Sequence, residues 1–123
     1  GLVSDDLRHF DRAEPGEVDA IDGAALAFRR ADVAERGVLD ERFRLGLNLD
    51  IWWSLVLRDG GEEQPNRRAV AIGEGAVVRH EPLPDMSVDG AERDRLARRS
   101  FYRVLDRFGA RRDLLLSGGV PGA

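Results

Sequence analysis

The residues of this chain that join a reactive side chain to a defined position are few, and they fall in two stretches. Asp50 follows Asn48 and Leu49 at the predicted head of a helix, just after a loop rich in charge. A carboxylate in a first helical turn gains about 0.3–1 kcal/mol from the helix dipole, so on that ground alone it is an ordinary first-turn aspartate. Trp52 and Trp53 come next and supply apolar surroundings, at least one of them serving the core. Asp22-Gly23 is a turn signal where the backbone can take a positive φ angle. His80 closes the apolar run Ala76-Val77-Val78-Arg79. Histidine titrates near neutral pH, yet a lone one after a strand is more often structural. His9 is distant in sequence and nothing pairs the two.

Much chemistry is excluded. The chain has no cysteine, which removes disulfides, thiolate metal sites and cysteine nucleophiles together and fits a reducing compartment. It has no Gly-rich phosphate loop, no Gly-x-Ser-x-Gly elbow, no His/Cys cluster with metal-ligand spacing and no Asp-x-Asp pair. A net charge of -4 argues against a nucleic-acid-binding domain. The hydrophobic share of 42% and charged share of 34% over 123 residues describe one soluble globular domain with a modest core. Apolar runs such as Trp52–Trp53 with Leu55–Leu57 are too short to span a bilayer, and the first residues lack the features of an export signal. All 19 basic residues are arginine, a bias expected of a GC-rich, bacterial coding sequence. The first residue is Gly1 and the one methionine is Met86, which reads as a fragment or a processed product.

The elements that must position these residues follow from patterning. Residues 1–16 read as a polar segment ending in Pro15-Gly16. Glu17–Ile21 reads as a short strand entering the Asp22-Gly23 turn, and Ala24–Phe28 as a second strand or the start of a buried helix. Arg30–Arg36 is predicted helical, closed by Gly37. After the Leu39–Leu47 loop, Asn48 is the expected N-cap of a helix reaching Asp59 and stopped by Gly60-Gly61. Its residues Leu49, Trp52, Trp53 and Val56 have the spacing of one buried face. Strands are expected at Arg68–Ile72 and Ala76–Arg79, then a helix over Ala91–Phe108 with Ala97, Phe101, Val104, Leu105 and Phe108 on its apolar stripe. The tail from Ser117 has the composition of a disordered end. This alternation favours an α/β or α+β architecture, a short mixed sheet with packed helices and a C-terminal helix.

Several pieces occur in an order that resembles the second half of the family-two glycosyltransferases. Asp22-Gly23-Ala24 is followed by Arg29-Arg30, then Leu39-Asp40-Glu41-Arg42-Phe43, then Leu49-Asp50, then Arg58 before Gly60-Gly61, and finally Ala76-Val77-Val78-Arg79-His80. The match runs from about Val18 to Glu81. The resemblance implies a partial GT-A-like domain carrying the acceptor side of a sugar-transfer site. It implies that Asp50 is the general base for the acceptor hydroxyl, and that Asp22, Gly23, Trp52 and Trp53 border the acceptor. It also implies that His80 helps hold a divalent metal or the departing diphosphate.

The sequence departs from that pattern at two acids: Leu49 stands where a glutamate is usual, and Trp52 where a second acid is usual. The acceptor rim is accordingly less polar. Mg²⁺ or Mn²⁺ and the nucleotide sugar are expected to be held in the whole enzyme by an N-terminal half or a second chain, so residues 1–123 alone are expected to be inactive. The corresponding organisation is 1–16 polar segment, 17–81 transferase-like half, 82–116 helical extension and 117–123 tail. The alternative reading is a non-catalytic carbohydrate-binding or protein-interaction module. Arg93, Arg95, Arg98, Arg99, Arg103 and Arg107 on the last helix suit an anionic membrane surface or acidic partner, but Glu92, Asp94 and Asp106 favour a solvated face. The expected location is cytoplasmic, with peripheral membrane attachment as the alternative.

Overall fold

Helix α2, Leu49–Arg58, organises the rest of the chain in the computed structural model, which describes residues 1–22, 26–37, 39–72 and 89–116. Six consecutive residues, Ile51 to Val56, are buried. The predicted face of Leu49, Trp52, Trp53 and Val56 is therefore only part of what α2 covers. A helix buried nearly all round is a central one, with neighbours on several sides. Asn48 occupies the predicted N-cap position, but its side chain makes no cap bond. Its backbone is left-handed (φ 61°), a conformation asparagine tolerates better than most residues. The amide instead donates to the Ala97 carbonyl at 3.3 Å, tying α2 to the last helix.

Helix α1, Arg30–Arg36, ends as expected at Gly37, whose φ of 89° suits glycine and whose N–H donates to the Val33 carbonyl at 3.0 Å. The 39–47 loop contains one tight turn, Arg44–Gly46. Helix α3, Gly90–Phe108, starts one residue before the prediction because Asp89 caps it, accepting from the Glu92 N–H at 2.8 Å. Its buried stripe is Leu96, Ser100, Val104 and Phe108, with Phe101 and Leu105 packed against its margin.

The N-terminal segment corrects the sequence reading. Leu2–Val3 (β1) pairs antiparallel with Phe10–Asp11 (β2), and Val3 and Leu7 both join the core. Asp6 Oδ1 accepts from Ser4 Oγ at 2.6 Å and from the Arg8 N–H at 3.0 Å, so an acid of the polar segment builds the hairpin's turn. Gly16–Val18 (β3) pairs antiparallel with Ala69–Ala71 (β4), with Glu17 opposite Val70. Both strands are shorter than predicted. The described sheets are thus two antiparallel pairs beside three helices, an α+β arrangement in place of one short mixed sheet. The expected strand at Ala76–Arg79, residues 24 and 25 of the expected element Ala24–Phe28 and the tail from Ser117 lie outside the described residues.

A buried polar knot joins these layers. Asp19 accepts from the N–H groups of Val3 and Leu116, both at 2.8 Å. Arg58, at the end of α2, donates to the Asp19 carbonyl at 2.8 Å, the Arg67 carbonyl at 3.1 Å and the Leu114 carbonyl. Burial lowers the Arg58 pKa, and nearby Asp19 opposes that shift. The knot meets the requirement that charge removed from water be fully hydrogen-bonded.

Candidate functional site

Asp50 and Asp22 belong to one side of α2. Asp50 lies in the first helical turn and is half-buried; its Oδ1 accepts from the Ile51 N–H at 2.8 Å. One turn on, Ser54 is buried and its hydroxyl accepts from the Ile21 N–H at 3.0 Å, fixing the segment that carries Asp22 along the same face. Burial lowers the pKa of the Gly1 amino group, and attraction from Asp19, then Asp22, then Asp50 opposes that shift. Asp22 is itself exposed. Gly23 lies outside the described residues.

Trp52 and Trp53 face elsewhere. They are only 7% and 1% exposed. Trp52 is packed between Phe43, with ring centroids 5.0 Å apart, and Phe108, at 5.5 Å, and the Arg107 guanidinium lies 5.2 Å from its ring centroid. Trp53 meets Phe28 edge-on at 5.4 Å. Both tryptophans line an open cleft of about 920 Å³ together with Arg36, Arg42, Arg103 and Arg107. Asp50 is not among its lining residues. The Trp53 indole N–H and the Arg36 Nε–H in this wall are buried without an acceptor. The side chains expected to border the acceptor therefore divide: Asp22 lies on Asp50's face, and the two tryptophans open on a cleft that Asp50 does not line.

Compared with protein families, curated proteins and solved structures, the chain matches none.

His80 lies outside the described residues, and no group of three or more potential metal ligands converges among the described ones. No described helix is long and apolar enough to cross a membrane. Sequence reasoning missed two features. One is the Asp19–Arg58 knot, whose signal was an acid inside the apolar run Val18-Asp19-Ala20 and an arginine ending Leu55-Val56-Leu57. The other is a gathering of arginines from two separate elements. Arg42 holds Asp40 through paired bonds, the shortest 2.7 Å, and Arg103 reaches the Arg42 carbonyl at 3.4 Å. The Arg42 bonds hold the Asp40 carboxyl below the usual range, with added attraction from Arg103.

Proposed function

We propose that this chain is the acceptor-side part of a family-two-type glycosyltransferase, in a partial GT-A-like domain, with Asp50 as the general base. The observation that supports the reading is the place of Asp50 in the first turn of α2, with the segment that leads to Asp22 tied to the same helix one turn on by the Ile21–Ser54 bond. Asp50 and Asp22 are two of the positions that the ordered resemblance assigns to the acceptor. In the reaction, a lone pair of the acceptor hydroxyl attacks the anomeric carbon and the bond to the nucleotide diphosphate breaks. The hydroxyl proton passes to the Asp50 carboxylate, and the configuration inverts. A carboxylate suits that task, because it can sit within hydrogen-bond reach of the acceptor hydroxyl and take its proton. The divalent metal, bound with the donor-holding half and His80, would neutralise charge on the departing diphosphate.

The test is Asp50→Asn in the full reading frame that contains this chain, assayed with UDP- and GDP-sugars and Mn²⁺. Transfer is expected to fall by about 10²–10⁴-fold, as for loss of a general base, with donor affinity retained. Transfer unchanged in the variant, or no transfer by the unaltered full-length protein, would reject the reading. The isolated 123 residues are expected not to turn over the donor.

The separation of the tryptophan cleft from Asp50 favours a second reading, a carbohydrate-binding module. In that case the chain binds oligosaccharides on its own, and Asp50→Asn leaves the affinity unchanged.

A further inference from the structure

A pocket of about 220 Å³ opens between the loop after α1 and the first half of α3, and its lining is dominated by one charge. Arg42 and Arg44 come from the loop; Arg95, Arg99 and Arg103 come from α3 at a spacing that keeps them on one helix face. Like charges at that spacing repel one another, so nothing in helix formation favours the row. Among the described residues, Glu92 is the one acid lining the pocket. It is taken by Arg95 through two bonds of 2.8 and 2.6 Å. Asp40, just outside, is taken by Arg42. Five arginines against these two carboxylates leave three positive charges in excess, on a chain whose net charge is -4.

The excess sits on identifiable groups. Among the described residues, the side chains of Arg44 and Arg99 make no ion pair and no hydrogen bond, and Arg103 reaches only a backbone carbonyl. These guanidiniums line the same pocket. The Arg95 bonds hold the Glu92 carboxyl below its usual range, and attraction from Arg44 and then Arg99 adds to the effect.

A tetrahedral oxyanion matches this arrangement, because guanidinium forks donate pairwise to phosphate oxygens and keep their charge at every physiological pH. The volume is below that of a pocket for a drug-sized molecule, which suits a phosphate or diphosphate group better than a whole nucleotide. We propose that the pocket formed by Arg42, Arg44, Arg95, Arg99 and Arg103 binds a phosphate group, carried either by a small soluble ligand or by a lipid headgroup. The proposal stands apart from the transferase reading and survives its failure.

The probe is inorganic pyrophosphate, titrated calorimetrically into the 123-residue chain in about 0.15 M salt, where unspecific surface attraction is largely screened. Arg44→Gln with Arg99→Gln is the test variant, since neither exposed side chain supports the fold; Arg12→Gln with Arg30→Gln, away from the pocket, is the control. Saturable one-to-one binding is expected, at least about tenfold weaker in the test variant and unchanged in the control. No saturable binding to pyrophosphate or to phosphatidic-acid vesicles, or an equal loss in test and control variants, would overturn the proposal. Sedimentation with phosphatidic-acid vesicles but not with phosphatidylserine vesicles of equal charge, lost in the test variant, assigns a lipid source. Pyrophosphate binding without sedimentation assigns a soluble one. Sedimentation with both vesicle types, unaltered in the test variant, also overturns it.

Discussion

Arg58 and the arginines of α3 are the same residue in opposite circumstances. Arg58 is 2% exposed, and its donors are spent on three backbone carbonyls from β3's extension, the strand approach at Arg67 and the turn at Leu114. Along α3, by contrast, Arg93, Arg95, Arg98, Arg99 and Arg107 are exposed, and most reach no carbonyl or carboxylate beyond their own helix. Composition treats them alike. What separates them is the register of α2, which turns its last residue inward beneath the Leu114–Leu116 segment. A buried arginine is a structural joint; a row of solvated ones is free to meet a ligand.

That contrast breaks first at Arg58. Arg58→Met keeps the aliphatic volume but strands the buried Asp19 and Leu114 carbonyls and the half-buried one of Arg67, and is expected to cost about 3–5 kcal/mol in urea unfolding. Such a loss is a large part of the stability of a domain this size, so unfolding at room temperature is within the expected range. A cost under about 0.5 kcal/mol would show that the knot is dispensable and the contrast empty.

A half-exposed arginine should fall between the extremes. Arg111 pairs with Asp59 at 2.9 and 3.0 Å and with Asp113 at 3.0 and 2.9 Å, raising its own pKa. Its bonds, and one from Asn66, hold the Asp113 carboxyl at about 2. The folded value is below the unfolded one, so the stabilisation is present above about pH 4 and is lost as pH falls towards the folded value. Solvent screening keeps it under about 1 kcal/mol. Asp113→Asn should show that deficit at neutral pH in urea melts, with the gap to wild type closing as the pH drops through this window. A gap that persists unchanged in acid would assign the effect to something other than ionisation. The smallest effect is expected at Arg98, exposed on α3: Arg98→Gln should stay within about 0.5 kcal/mol of wild type in the same melts.

The helices were legible because their signals are local. Gly37, Gly60-Gly61 and the apolar run around Trp52 and Trp53 bound α1 and α2 nearly to the residue. The β1–β2 hairpin was not, since its two core residues, Val3 and Leu7, are isolated among acids and Leu7 takes a left-handed backbone (φ 62°). Nor does any periodicity announce that Gly16–Val18 will pair with Ala69–Ala71, which lie beyond both α1 and α2 in the chain. Partner choice between strands is decided by tertiary packing. At the candidate site, the first-turn position of Asp50 agrees with the sequence reading. The orientation of Trp52 and Trp53 towards a different cleft depended on α3, whose docking no residue spacing reveals.

Asp19 has a consequence for how the molecule is made. On a chain emerging from the ribosome, Val3 and Asp19 arrive before α3, while Leu116, which supplies the second amide to that carboxylate, arrives after it. Until then the carboxylate has half of its backbone donors, and the guanidinium of Arg58 lacks its Leu114 carbonyl. Contacts of such long sequence separation close late and slowly. The nascent protein therefore carries this buried pair incompletely bonded until the segment that follows α3 has been made.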